Sequence, residues 1–402
     1  MYLNSASSGT SGCSIYNIVN NKTKSQVVAL SRESKNKNKS LVQLASNICC
    51  PPPNYNWYGV FANNNSSATA TTTPQTFFAT SENGLYKGIF STDGVPKLEL
   101  LSLSLELLSL SLTLSSYLPT TTIASNADAT IVVVGVPNVG VYISTDSGDT
   151  WIKKVPTESS TIIVASNSDG RVLIAAISNG YGSTQSDLYY STDSGDTWTD
   201  KVISDVFIVS LAIDATDNVV LGYNNNSTGT SAVYSWTVGA DTQTQILMDP
   251  PTYAIPYVSI VSISSDSTII TIITVTTNNS FYVGNAEDGL TVNNPPFDGE
   301  TISMTYASTN NTGSNIVVMG IFNSAILYPG TYDSAKNNYT FNDSYTTNTP
   351  SSYQSGNYPM ASDNYGNIYT ASGQNLIQLQ LDADTNTYTQ SSAVTWGNIT
   401  GI

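Results

Sequence analysis

A tyrosine returns along the chain at a nearly constant interval, at Tyr86, Tyr142, Tyr189, Tyr234, Tyr282 and Tyr328, with Ile377 in the last copy; the successive intervals are 56, 47, 45, 48, 46 and 49 residues. An internal repeat of this length points to stacked or radially arranged supersecondary units rather than to an ordinary globular core. Each copy begins with an element that ends in a small residue and a polar turn, as in FANNN (61–65), IASNAD (123–128), VASNSDG (164–170), AIDATDN (212–218), ISSDS (263–267), YASTNN (306–311) and MASDNYG (360–366). A strongly β-prone run follows, such as IVVVGV (131–136), VLIAAI (172–177) or IITIITV (269–275). The tyrosine marks a third strand. A fourth is clearest at TWIKKV (150–155), TWTDKV (197–202) and AVTWGNI (393–399). Four antiparallel strands per copy make one sheet, and seven sheets closed radially protect the strand edges that would otherwise invite aggregation. The expected fold is therefore all-β, a seven-bladed β-propeller of four-stranded antiparallel blades spanning residues 56–402. An open solenoid is the rival, and the lack of distinct polar capping repeats argues against it. No stretch of ten or more residues joins helix formers to a 3.6-residue apolar period, so almost no helix is expected.

Two copies carry an identical octapeptide, Ser144-Thr145-Asp146-Ser147-Gly148-Asp149-Thr150-Trp151 and Ser191-Thr192-Asp193-Ser194-Gly195-Asp196-Thr197-Trp198, each after an apolar run ending in tyrosine. Between two strands, the carboxylate of Asp146 or Asp193 can accept N–H groups of its own turn. Gly148 or Gly195 can take a positive φ, and Trp151 or Trp198 opens the next strand with a large face to bury. With Ser144, Thr150, Ser191 and Thr197, these residues read as a structural hairpin brace. The octapeptide resembles the Asp box (BNR repeat), S-x-D-x-G-x-T-W, of the sialidase-like β-propellers. That resemblance implies a structural turn on the face away from the binding site. Elsewhere the box has decayed, to FSTDGVP (90–96) and WTVGADT (236–242). The first copy is lengthened by ELLSLSL in tandem at 99–105 and 106–112, read as a strand pair with phase breaks at Leu100-Leu101 and Leu107-Leu108.

Residues 1–55 form a polar, basic N-terminal arm ending in Cys49-Cys50-Pro51-Pro52-Pro53, whose prolines favour an extended conformation. Its only apolar islands are VVAL (27–30) and LVQLA (41–45). Residues 1–40 hold six basic side chains against Glu33, which leaves a net charge of −21 for the remainder. Such an acidic body repels nucleic acid and anionic membranes. The cysteines Cys13, Cys49 and Cys50 lack zinc or redox spacing; they read as free thiols, or as a clip from Cys13 to one of the pair. The first residues lack a standard secretory signal, and no run of 18 uncharged apolar residues suggests a membrane span.

The chain has no histidine, so the usual neutral-pH base and commonest metal ligand are both missing. The sialidase-like family implies three arginines around a substrate carboxylate, and this chain has only Arg32 and Arg171. Other Asp-box propellers imply an acid and base carboxylate pair. Asp205, Asp249, Asp298 and Glu300 lie on expected loops without any distinguishing spacing, and the D-A-D at 382–384 lacks the Gly and Glu of a calcium loop. No catalytic residue, metal or cofactor is assigned. The connections between second and third strands, and between one copy and the next, are rich in Asn and Tyr. Tyr181, Tyr223, Asn224, Asn225, Tyr253, Tyr257, Asn278 and Asn279 are the expected ligand-binding face, because tyrosine rings stack on sugars while amides bond hydroxyls. The expected function is a non-enzymatic surface or structural binding protein. In that reading a virion- or capsid-associated propeller is anchored to a larger assembly by residues 1–55 and presents this face to glycans or proteins. A secreted, carboxylate-dependent glycoside hydrolase is the alternative.

Overall fold

In a computed structural model, the described residues comprise 57–62, 75–81, 84–90 and 96–100, then 122–294 with short breaks, and segments of 303–395. The chain divides into two compact units, residues 1–54 with 394–402 and residues 55–393. Within the first, the described residues are the two-residue strand Val394–Thr395. The arm, its cysteines and its apolar islands lie outside the described residues, as do residues 101–121 with most of the leucine-serine duplication. The second unit is all-β, with no helix among its described residues.

Its strands form antiparallel meanders taken in chain order. The first sheet is Trp57–Ala62, Gln75–Ser81, Gly84–Phe90 and Pro96–Leu100; the second is Thr122–Ser125, Val132–Val136, Gly140–Ser144 and Ile152–Pro156. The third runs Thr161–Ser166, Leu173–Ser178, Gln185–Ser191, Thr199–Ser204, and the fourth Phe207–Ile213, Asn218–Asn225, Thr230–Thr237, Thr244–Ile246. In the fifth, Tyr257–Ile263, Ile270–Val275, Ser280–Asn285 and Gly289–Val292 gain an outer strand, Met248–Asp249, that pairs parallel to Gly289–Val292. The sixth contains Ser303–Thr309, Asn315–Ile321, Ala325–Asp333 and Asn338–Phe341, with Tyr345–Thr346 also pairing the third of these. The seventh follows Met360–Ser362, Ile368–Ser372, Asn375–Asp382 and Thr387–Gln390. Tyr86, Tyr142, Tyr189, Tyr234, Tyr282, Tyr328 and Ile377 all sit on the third strand of a sheet.

In the last sheet Thr387–Gln390 pairs with the third strand ahead of AVTWGNI (393–399), within which Val394–Thr395 is also a strand. Leu381 and Asp382 pair with Tyr388 and Thr387, which come before that segment in the chain. Pro96–Leu100, at the start of the leucine-serine stretch, is the fourth strand of the first sheet.

The core lies between successive sheets. Val133, Val141, Ile143 and Val155 of the second sheet pack with Ile162, Val164, Leu173 and Ile177 of the third. Ile174, Ala176 and Leu188 of the third then meet Ile208, Leu221 and Trp236 of the fourth. Val220, Val233 and Ile246 meet Val261, Ile272 and Tyr282 of the fifth, whose Ile273, Phe281 and Val283 meet Ile316, Val318 and Tyr328 of the sixth. A sheet covered on both faces needs continuous rather than alternating apolar strands. That accounts for Val132–Val136 and Leu173–Ser178, buried at every residue, whereas the outer strand Ile152–Pro156 is largely exposed.

Candidate functional site

Antiparallel meanders put the connections between strands one and two, and between strands three and four, at one end of each sheet. The strand two to three connections, and those to the next sheet, lie at the other end. The two octapeptides belong to the first group, closing the third and fourth strands of the second and third sheets. In each, the aspartate carbonyl accepts the N–H of the residue three further on, Asp149 to Asp146 at 3.3 Å and Asp196 to Asp193 at 3.2 Å. Both central residues are left-handed, with φ of 60° and 93° at Ser147 and Gly148, and 58° and 87° at Ser194 and Gly195. That is the backbone pattern of a primed β-turn, whose twist matches the flanking strands. The glycines were expected to take this conformation; Ser147 and Ser194 were not. Their N–H groups donate to Thr130 O (3.0 Å) and Arg171 O (2.9 Å) in the neighbouring hairpin turn, which holds the serines there.

The polar side chains close on the turn itself. Ser144 Oγ accepts from Gly148 N–H (2.7 Å) and donates to Asp146 Oδ1 (2.7 Å); Ser191 does the same with Gly195 (2.8 Å) and Asp193 (2.7 Å). Asp146 Oδ1 accepts Thr150 N–H at 2.8 Å and its Oδ2 accepts Thr150 Oγ1–H at 2.6 Å, with 2.9 and 2.6 Å for Thr197 on Asp193. The indoles donate back to the turn, Trp151 Nε1 to Gly148 O (2.9 Å) and Trp198 Nε1 to Gly195 O (3.2 Å). These bonds favour the ionised carboxylate. The Thr150 hydroxyl and N–H hold the Asp146 carboxyl below the usual range, and Thr197 brings that of Asp193 down to about 2. Other three-to-four turns keep parts of the device. Gly239 (φ 85°) turns WTVGADT, where Trp236 Nε1 donates to Ala240 O at 2.8 Å. Asn285 Oδ1 accepts Glu287 and Asp288 N–H in the fifth sheet, and Asp333 Oδ1 accepts Ala335 N–H in the sixth.

The one-to-two turns at the same end hold buried polar side chains at matching places, Asn126, Asn167, Asp214 and Ser264. Each satisfies its own turn: Ile131 N–H to Asn126 Oδ1 (2.9 Å), Val172 N–H to Asn167 Oδ1 (3.0 Å), Asn218 N–H to Asp214 Oδ1 (2.8 Å) and Ile269 N–H to Ser264 Oγ (3.0 Å). The turns also bond from sheet to sheet. Ala127 N–H donates to Ser168 O (2.8 Å), Asn167 Nδ2 to Asp217 Oδ1 (3.0 Å), Arg171 to Asp217 Oδ2, Asn218 Nδ2 to Ser267 Oγ (3.1 Å), and Ser267 Oγ to Asp214 Oδ2. Arg171 is thus paired within the fold.

Of the expected ligand face, Tyr181, Tyr253, Asn278 and Asn279 lie outside the described residues, as do the carboxylates Asp205, Asp298 and Glu300. Asn225 and Tyr257 are on strands, Asn218–Asn225 and Tyr257–Ile263. Two members of the expected ligand face are displaced from it. Tyr223 is only 4% exposed, packs in the core between the third and fourth sheets, and donates its hydroxyl to Gln243 Oε1 at 2.6 Å; burial pushes its phenol up. Asn224 is buried and accepts Ser231 Oγ–H at 2.5 Å. The reason is register: GYNN continues the second strand, with Gly222, Tyr223 and Asn224 opposite Val233, Ala232 and Ser231 and Asn225 opposite Thr230, so the connection proper is 226–229. Among the described residues no group of three carboxylate, thiol or imidazole side chains could hold a metal ion.

No family model matches the chain, and no curated protein matches it in sequence. Solved structures do match its fold. An ancestral GH74 enzyme superposes with a TM-score of 0.56 at 14% identity, over 85% of this chain and 47% of its own, so the chain spans about half the length of that protein. A putative 6-phosphogluconolactonase from Bacteroides uniformis gives 0.54 at 11% identity, covering 85% and 96%. A protein from Lactobacillus plantarum gives 0.54 at 10%, covering 85% and 97%. At these identities the likeness is one of fold alone, and together with the four-stranded antiparallel meanders it makes this chain an all-β protein of β-propeller-like architecture.

Proposed function

We propose that the chain is a seven-bladed, Asp-box β-propeller that binds rather than catalyses. The count of seven is supported by contacts between innermost strands: each first strand touches that of the next sheet, and Met360–Ser362 of the seventh touches Trp57–Ala62 of the first. The octapeptide bonding supports the Asp-box reading, in which Ser144, Asp146, Gly148, Thr150 and Trp151, with Ser191, Asp193, Gly195, Thr197 and Trp198, brace turns.

The observation that carries the binding reading is the fate of the carboxylates. At the braced end Asp128, Asp146, Asp193, Asp266 and Asp333 accept hydrogen bonds from their own turns, which hold their carboxyls below the usual range, while Asp205, Asp298 and Glu300 lie outside the described residues. A glycosidic general acid needs the opposite, a raised pKa that keeps its proton near neutrality. The named GH74 neighbour suggests the hydrolase alternative, but a likeness of fold does not transfer chemistry. In this reading the end opposite the braced turns meets neutral glycans or protein loops, and residues 1–55 anchor the propeller to a larger assembly such as a capsid, at a virion or extracellular surface.

The test applies the full chain to a panel of immobilised neutral glycans and follows both retention and released sugar. Retention without product is expected. Turnover abolished by substitution of one acidic residue would overturn the proposal. Deleting residues 1–50 should abolish co-sedimentation with the natural particle while leaving glycan retention intact.

A further inference from the structure

The fold uses several of its described asparagine amides to hold turns together. Asn126, Asn167, Asn218, Asn285 and Asn293 each donate or accept within the turns or across to a neighbouring sheet. Asn338 is different. It opens the fourth strand of the sixth sheet, directly after the turn at Asn337 (φ 52°), and neither its amide nor the hydroxyl of Thr340 makes a side-chain hydrogen bond among the described residues. Between them Tyr339 is fixed from several sides. Its N–H donates to Asn293 Oδ1 at 2.7 Å, its carbonyl accepts Asn293 Nδ2–H at 3.2 Å, and its hydroxyl donates to Gly313 O at 2.6 Å. Its ring is 2% exposed and faces Phe281 of the fifth sheet at 6.1 Å between centroids. Side chains two apart on a strand share a face, so Asn338 and Thr340 lie on the face opposite the buried tyrosine. Thr340 is exposed and Asn338 half-buried.

Asn338-Tyr339-Thr340 has the N-x-Thr form that oligosaccharyl transferases recognise. We propose that Asn338 is an acceptor for an N-linked glycan. In the transfer, Asn338 Nδ2 attacks the anomeric carbon of an oligosaccharide carried on a polyprenyl pyrophosphate. A C–N bond forms, the C–O bond to pyrophosphate breaks, one amide proton passes to the transferase base, and the lipid pyrophosphate leaves. The folded strand can tolerate the product because Tyr339, the buried residue of this segment, packs on the other face. The inference goes beyond the binding reading and stands independently of it.

Peptide mapping of the full chain isolated from its natural source, before and after peptide N-glycosidase treatment in heavy-oxygen water, tests it. The expected result is a glycan mass on the peptide containing residue 338, removed with conversion of that residue to aspartate bearing heavy oxygen. In chain expressed through a eukaryotic secretory pathway, Asn338→Gln and Thr340→Ala should reduce occupancy at 338 to background while Thr340→Ser retains it. The nearby Asn342-Asp343-Ser344 is scored separately by fragmentation. A bare Asn338 in the natural protein, or occupancy indifferent to Thr340→Ala, overturns the proposal.

Discussion

Replacing Ser144 by alanine isolates what the octapeptide side chains contribute, because the serine is 1% exposed and its oxygen serves two bonds at once. Loss of the hydroxyl leaves the buried Gly148 N–H without its 2.7 Å acceptor, and an orphaned buried donor costs about 1–3 kcal/mol. The bond to Asp146 is lost too, but that carboxylate is exposed and can turn to water, so its share is about 0.5–1 kcal/mol. The working estimate is about 2–3 kcal/mol. Urea unfolding followed by the fluorescence of the half-buried Trp151 reads it as a lowered midpoint with unchanged slope. Thr145→Ala, exposed and adjacent, is the control and should stay within about 0.5 kcal/mol of the parent. Ser191→Ala should match Ser144→Ala because the two sites share their geometry. If Ser144→Ala cannot be told from Thr145→Ala, the braced-turn reasoning fails.

Gly195→Ala should cost about 2–4 kcal/mol, from a left-handed φ of 87° and a Cβ that would stand 2.2 Å from Ile143 Cδ1. Ile143→Val removes that carbon, so in a double-mutant cycle by urea unfolding the pair should be less destabilised than the sum of the singles. Tyr339→Phe should lower stability by about 1–2 kcal/mol by stranding the Gly313 carbonyl, an effect absent if thermal unfolding is unchanged. Acid titration of stability tests the depressed carboxyls. A group lowered from 3.8 to about 2 stabilises the fold above pH about 4, and that contribution is lost as pH falls towards 2, so Asp193→Asn should give a shallower decline over this window than the parent.

The strands were legible because both faces of the sheets are buried, which writes unbroken apolar runs such as Val132–Val136 and Leu173–Ser178 into the sequence. The repeating tyrosine was legible for a related reason: each copy occupies the same register, opposite the second strand, as in Val134 with Tyr142 and Val318 with Tyr328. Strand ends were less so. Polar GYNN looks like loop, yet its ladder continues to Asn225 because Tyr223 reaches the core and Gln243. Positive φ at Ser147 and Ser194 was hidden because the force that sets it comes from backbone groups of another turn, Thr130 and Arg171.

The sheet-to-sheet bonds at the braced end join residues about one repeat apart, 50 for Asn167 with Asp217, 49 for Asn218 with Ser267 and 53 for Ser267 with Asp214. Such a spacing makes them neighbours of the same kind in successive sheets, so a polar residue at one place in each of these turns builds a belt across the third to fifth sheets. The signal was present in the sequence as SN, SN, ID and IS at the end of the first strand of the second to fifth sheets, and it gains meaning only once the sheets are placed side by side. At the braced end a substitution at Asn167, Asp214 or Asn218 removes bonds within a turn and between sheets together. The connections opposite the octapeptides are where a rigid scaffold can present loops to a ligand.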